Sequence, residues 1–174
     1  MLQDQLQRSS ALNLLINAIS MWNIIYLEEG PGYTGWKVID GKKYHFSNGS
    51  HYTFDGHLEI DGKKYYFNQD GSAKLTGFDK VGGKIYYYND KGEMQTGWQQ
   101  IDGKWYCFDD SGAAKIGWIN ARGYIFPYYK YYWYYAKDDG SIYTNTTVKL
   151  YADGTWGNVT FDQWGHKTKF EKLK

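Results

Sequence analysis

The chain has 174 residues, with 20 Lys+Arg against 19 Asp+Glu and a formal charge of +1, a balance that gives no reason to expect a nucleic-acid or anionic-membrane partner. Aromatic residues make up 20% (8 Trp, 19 Tyr, 8 Phe) beside a mean hydropathy of -0.70, so the apolar mass sits in flat amphipathic rings and not in an aliphatic core. Its 1 Cys, Cys107, excludes an intrachain disulfide framework and any cysteine-based zinc site, and no cofactor is expected.

The first predicted element is a helix within residues 1–29. Ser9 or Ser10 can cap it, Leu12, Leu15, Ile16 and Ile19 fall on one face, and Asn13, Asn17 and Ser20 on another. The apolar stretch from Ala11 to Leu27 is 17 residues long, is interrupted by Asn13, Asn17 and Asn23, and is followed by no small-residue cleavage pattern. It therefore reads as neither a membrane span nor a signal peptide. Gly30-Pro31-Gly32 breaks the helix, and residues 30–34 form a linker.

From residue 35 the chain repeats itself. A glycine followed by a large or ring-bearing residue recurs at Gly35-Trp36, Gly56-His57, Gly77-Phe78, Gly97-Trp98 and Gly117-Trp118, with spacings of 21, 21, 20 and 20. A second landmark lies between them: IDGKKYHFSNG from Ile39, IDGKKYYFNQDG from Ile60, VGGKIYYYNDKG from Val81 and IDGKWYCFDDSG from Ile101. The copies run over 35–55, 56–76, 77–96, 97–116 and 117–144, the fifth matching if Tyr124 to Tyr131 are an insertion. Residues 145–174 are a closing module and tail. Each copy reads as a short hairpin: an aromatic run, a tight turn at Gly49, Gly71, Gly92, Gly112 or Gly140, then a second short run. One hairpin alone is marginal in water, so the expected architecture is an all-β solenoid of stacked β-hairpins preceded by one α-helix.

Alternation along a strand divides each aromatic run into two faces. Tyr44/Phe46, Tyr65/Phe67, Tyr86/Tyr88 and Tyr106/Phe108 form a uniformly aromatic face, assigned to the core. Lys43/His45, Lys64/Tyr66, Ile85/Tyr87, Trp105/Cys107 and Trp133/Tyr135 form a variable face, assigned to the ligand.

Residues 35 to about 156 resemble the cell-wall-binding repeats, also called choline-binding or glucan-binding repeats, of Gram-positive surface proteins. TGWQQIDGKWYCFDDSG from Thr96 and IDGKKYYFNQDG from Ile60 carry the resemblance. It implies a superhelix of hairpins that binds choline on cell-wall teichoic acid, or a glucan polymer, in aromatic pockets between repeats, at the cell surface or outside the cell. Matched position by position, the pocket residues are Trp98, Trp105 and Trp118, with Trp133 and Tyr135 from the next copy and Tyr87 on the same face. Lys43, Lys64 and Ile85 stand where the family has a pocket tryptophan, and His57 replaces the Gly-Trp ring, so binding is expected to concentrate between the fourth and fifth copies.

QRSSALNLLINAISMWNIIYL, from Gln7, resembles the closing helix of the catalytic domain in transposases of the Tn-three type, without that family's catalytic carboxylates. Two functional readings follow. One is a non-catalytic wall-polymer or glucan binding module; the other is a junction product of a transposase end and a truncated repeat array, with no evolved function. An enzyme is not expected: His45, His51, His57 and His166 show no metal-ligand spacing, and the acidic turns NQDG, NDKG and DDSG lack the alternating oxygen ligands of a calcium loop. Cys107 reads as a small residue lining a groove, and the run from Tyr124 to Tyr135 as a lengthened hairpin or loop.

Overall fold

The protein is described here by a computed structural model covering residues 25, 29–53, 55–122 and 130–173. The expected helix lies almost wholly outside the described residues. Of that stretch, Ile25 is buried among Ile39, Tyr44 and Phe46, and the Lys37 ammonium pairs with Glu29. No helix among the described residues is long and apolar enough to cross a membrane.

The remainder is a succession of antiparallel hairpins. In chain order the strands are β1 (Gly35–Ile39), β2 (Lys42–Ser47), β3 (Ser50–His51), β4 (Gly56–Ile60), β5 (Lys63–Phe67), β6 (Gly77–Val81), β7 (Lys84–Tyr88), β8 (Gly97–Ile101), β9 (Lys104–Phe108), β10 (Gly117–Arg122) and β11 (Tyr131–Ala136). The final sheet joins β12 (Thr146–Ala152), β13 (Thr155–Phe161) and β14 (Lys167–Lys172). Every landmark glycine opens a strand, and that strand pairs with the aromatic run that follows it: β1 with β2, β4 with β5, β6 with β7, β8 with β9 and β10 with β11.

This pairing corrects the expected hairpin. The tight turn of the second to fourth copies is not at Gly71, Gly92 or Gly112 but one step earlier, at Asp61-Gly62, Gly82-Gly83 and Asp102-Gly103, whereas the first copy turns at Asp40-Gly41 and again, as expected, at Asn48-Gly49, which joins β2 to β3. There both residues have positive φ, for example 50° at Asp102 and 75° at Gly103. Two consecutive positive-φ residues make the two-residue turn whose twist matches that of antiparallel strands, and Asp-Gly is its standard sequence. Gly71, Gly92, Gly112 and Gly140 instead close a second, looser loop. The Gly71 N–H donates to Asn68 O and the Asn68 N–H to Ser72 O, both at 2.8 Å, and an adjacent carboxylate completes the loop: Asp109 Oδ1 accepts from the Ser111 and Ala113 N–H groups. The acidic loops thus serve backbone hydrogen bonding.

The chain divides into two compact units, residues 1–77 with 88–94, and residues 78–87 with 95–174. Inside each, the segment after the second loop bridges back to the preceding copy. In the first unit the Ala73 N–H donates to Lys43 O at 2.7 Å and the Met94 N–H to Lys64 O at 2.8 Å. In the second, Ala114 donates to Ile85 O at 2.7 Å and Ile142 to Trp105 O at 2.8 Å. The acceptor is each time the backbone of the residue whose side chain varies between copies. A hairpin that cannot bury its rings alone is in this way tied by main-chain bonds that any side chain permits.

The uniform face forms the core as expected. Phe46, Phe67 and Tyr88 are fully buried, and Tyr44, Tyr65, Tyr86, Tyr106, Phe108 and Tyr134 nearly so. The variable face is not wholly a ligand face, however: His45, Tyr66 and Cys107 on it are buried as well. Cys107 lines no open groove but packs among Ile119, Tyr134, Ala136 and Ile142, because the next copy roofs that half of the strand; burial pushes its thiol pKa up, leaving it unreactive. In the fifth copy Tyr131 belongs to β11 and pairs with Arg122, so this hairpin is longer than its predecessors; residues 124–129 of the insertion lie outside the described residues.

Candidate aromatic cage

Direct antiparallel partners point to the same side of a hairpin. The register Trp98↔Cys107 and Gln100↔Trp105 therefore puts Trp98 and Trp105 on one face of the β8–β9 hairpin, while Trp118↔Tyr135 and Asn120↔Trp133 do the same for Trp118, Trp133 and Tyr135 on β10–β11. What meets Trp98 across the gap is Tyr134, from the opposite face of the next hairpin. The Trp98 and Tyr134 ring centroids are 4.7 Å apart with planes tilted at 54°. Stacking a hairpin on its predecessor necessarily presents that core-facing ring to the earlier variable face.

Trp98, Trp105, Tyr134, Trp164, His166 and Arg122 line a cavity of about 500 Å³. Trp164 and His166 arrive on the loop after β13. That loop is held by Asp162, whose Oδ1 accepts from the Trp164 N–H at 2.9 Å and the His166 N–H at 2.8 Å. His166 is clamped further, with Nδ1 3.0 Å from Asp162 Oδ2 and its ring stacked 3.8 Å from that of Tyr132. Burial, reinforced by the Asp162 charge, pushes the Tyr134 phenol pKa up to about 12. Its ring is thus a neutral wall at any physiological pH. Trp164 stays 54% exposed, so the cavity has one wall open to solvent. The Arg122 guanidinium is drawn towards Tyr131, 5.6 Å from that ring's centroid, with Nε donating to Tyr131 Oη at 3.3 Å.

The structure gathers Trp98 and Trp105 and sends the other expected site residues elsewhere. Trp118 stands edge-on to Tyr135 at 5.1 Å and to Trp133 at 6.2 Å, donates from Nε1 to Tyr151 O at 2.9 Å, and has the Lys167 ammonium 5.4 Å from its ring centroid. Tyr87 packs on Phe78 at 4.8 Å and against Ile101, Tyr106 and Phe108. A second cavity, of about 390 Å³, is lined by Phe78, Asp79, Lys80, Ile85, Tyr106 and Asp139. Sequence reasoning did not identify Tyr134, Arg122, Trp164 or His166 as cavity residues. The first falls at the core-face position of the fifth copy, equivalent to Tyr106, and the last two had a signal: Phe161-Asp162-Gln163-Trp164-Gly165 repeats the pattern of Phe108-Asp109-Asp110-Ser111-Gly112.

One geometric unit recurs. The ring of the glycine-aromatic dipeptide meets the core tyrosine of the next copy at 4.6 Å and 54° for Trp36–Tyr65, and at 4.9 Å and 48° for Phe78–Tyr106, matching Trp98–Tyr134. The third member differs: Lys43, Ile85 and Trp105 in turn. Rings at such angles expose electron-rich faces to one point, the arrangement that attracts an organic cation.

Residues 75–118 match the choline-binding repeat family, and residues 34–50 and 58–73 match the cell wall binding repeat family. The crystal structure of choline binding protein F from Streptococcus pneumoniae is similar over 82% of this chain and 42% of that one, at 32% identity and a TM-score of 0.62. Its complex with ipratropium gives 82% and 40%, at 32% identity and a TM-score of 0.64. The structure of the same protein in the presence of a peptidoglycan analogue gives 82% and 42%, at 31% identity and a TM-score of 0.62. This chain spans about two fifths of the length of those structures. With its hairpin repeats, it belongs to the choline-binding cell-wall repeat family.

Proposed function

We propose that the chain is a non-catalytic binding module that holds choline, carried on a cell-wall polymer such as teichoic acid, in the cage formed by Trp98, Trp105 and Tyr134. The cavity between those three rings is the observation that carries this reading. Each ring face contributes about 0.5–2 kcal/mol to a bound cation. Three faces give about millimolar affinity for free choline once the entropy of association is subtracted. A polymer that engages several such sites raises retention by avidity. The Arg122 guanidinium, held against Tyr131, is suited to the anionic backbone of such a polymer.

The main-chain bonds from each copy to its predecessor inside a unit support a solenoid manner of stacking, and the repeat family supports a place at the cell surface. The reading as a junction product is not favoured, because the family matches fall on the repeats and the similar solved protein is a choline-binding one. The test is retention of the full chain on an amine resin that mimics choline. Elution by free choline supports the proposal. Flow-through from the resin, with binding to dextran, replaces choline by a glucan.

A further inference from the structure

We propose that the first cage, around the Trp36–Tyr65 ring pair, is a cation site already filled from within: the Lys43 ammonium takes the place that a quaternary ammonium takes in the fourth cage, that of Trp98, Trp105 and Tyr134, and removing it opens a second ligand site. This rests on the reading of the fourth cage given above. Lys43 Nζ lies 4.2 Å from the ring centroid of Trp36 and 5.7 Å from that of Tyr65. Those rings form the 4.6 Å, 54° pair that the fourth cage repeats at 4.7 Å and 54° around an open cavity.

Lys43 and Trp105 leave the backbone at equivalent points. Each belongs to the second strand of its hairpin, and its carbonyl accepts the docking bond from the next copy, from Ala73 and from Ile142. In one copy the side chain there is a third ring beside the cavity; in the other it ends in a cation aimed at the two rings. The ammonium is anchored by a hydrogen bond to Lys91 O at 2.7 Å. Burial pushes the Lys43 pKa down against the opposing charge of Glu93, as expected of a cation that has exchanged part of its water for ring faces. A tethered occupant competes at an effective concentration of about millimolar or more, so a ligand of about millimolar affinity does not displace it efficiently.

The test is calorimetric titration of the full chain with choline chloride, comparing the wild type with Lys43→Ala and Lys43→Arg. Lys43→Ala is expected to add one site per chain, Lys43→Arg to add none because a cation stays on the rings, and Trp36→Ala introduced into Lys43→Ala to abolish the gained site. Independently of how the variants fold, the Lys43 ε-methylene protons of the wild type are expected upfield of the other lysines through the Trp36 ring current. An unshifted ε-methylene, or a folded Lys43→Ala with wild-type stoichiometry, overturns the proposal. A wild type that binds one choline while Lys43→Ala gains none leaves the fourth-cage reading standing and removes this one. A wild type that binds none while Lys43→Ala binds one does the reverse.

Discussion

The first cage, in the first unit, and the fourth cage, in the second, are built on the same ring pair, 4.6 Å and 54° for Trp36–Tyr65 against 4.7 Å and 54° for Trp98–Tyr134. The geometry of the ring pair therefore does not distinguish them. One side chain does: Lys43 projects its ammonium onto Trp36, whereas Trp105 adds a face and leaves space. A repeat fold can thus keep its architecture while single positions decide which cages are open, because docking uses the carbonyl of that residue and ignores its side chain.

The largest expected effect compares how tightly the copies pack inside each of the two units. A Cβ added at Gly71 would stand 2.0 Å from Tyr52 O and 2.4 Å from His51 Nδ1, whereas at Gly140 its nearest neighbour is Ala114 Cβ at 3.1 Å. Both glycines have φ near +80°, 79° and 82°, so both alanine variants bear the left-handed penalty of about 1–2 kcal/mol. Only Gly71→Ala adds the full overpacking cost of about 1–3 kcal/mol. Chemical denaturation should show Gly71→Ala as clearly the less stable of the two; equal losses would mean that the loop at Gly71 has room to shift.

Trp105→Ala comes next. It should weaken choline binding by about 1–3 kcal/mol, the usual cost of a lost aromatic anchor, while leaving the docking bond to Ile142 in place. Titration showing wild-type affinity would break the assignment of Trp105 to the open cage.

A pH series sharpens the contrast from the side of the first unit. Burial holds the pKa values of His45 and His57 below the ordinary 6.5, with Lys64 adding to the shift at His57. Below pH 6.5 the unfolded chain takes up protons that the folded chain refuses, so stability is fully present above that value and falls with pH towards the depressed folded pKa. His45 Nδ1 is buried without a hydrogen-bond partner, and the Asp61 charge offsets the cost of burial only in part. Thermal melts should give a Tm that drops from pH 7 to pH 5, less steeply in His45→Phe; an identical slope in the variant would remove His45 from the account. Further down, Asp70 contributes. Burial raises its carboxyl, but the Lys42 ammonium and the Ser72 hydroxyl and N–H outweigh this and bring its pKa to about 2, so its stabilisation is lost as pH falls from 3.8 towards that value.

The smallest effect is Lys64→Ala, expected to alter choline binding and stability by no more than about 0.5 kcal/mol. The Lys64 carbonyl, which accepts from Met94, is retained by alanine. A binding loss as large as that of Trp105→Ala would mean that the variable face is not where ligand is read.

Much of this was legible in the residues. The spacing of Gly35, Gly56, Gly77, Gly97 and Gly117 marks where strands begin, and the alternation of Tyr106 and Phe108 with Trp105 and Cys107 identifies the core face correctly. The main hairpin turns also carry their signal in the sequence, since Asp40-Gly41, Asp61-Gly62 and Asp102-Gly103 are strong two-residue turn dipeptides, but the Asn- and Asp-rich loops around Gly71, Gly92 and Gly112 share that composition and local sequence does not rank the two. Trp164 and His166 escaped because the final copy has seven-residue strands, β12 and β13, in place of five, which obscures its register with the others.

By itself, the amino-acid order determined the repeat, the pleat and the turns, since these depend on interactions within about twenty residues, a period the chain shows on inspection. Only the tertiary structure decided that Tyr134, a core residue of one hairpin, is also a wall of the cage of its predecessor, that the thiol of Cys107 is sealed, and that Lys43 reaches back to Trp36 and across to Tyr65. The physical reason is that both faces of a short two-stranded hairpin need cover, and the cover comes from the next copy, so the neighbours of a variable-face residue are set by how hairpins stack and not by what lies beside it in the chain.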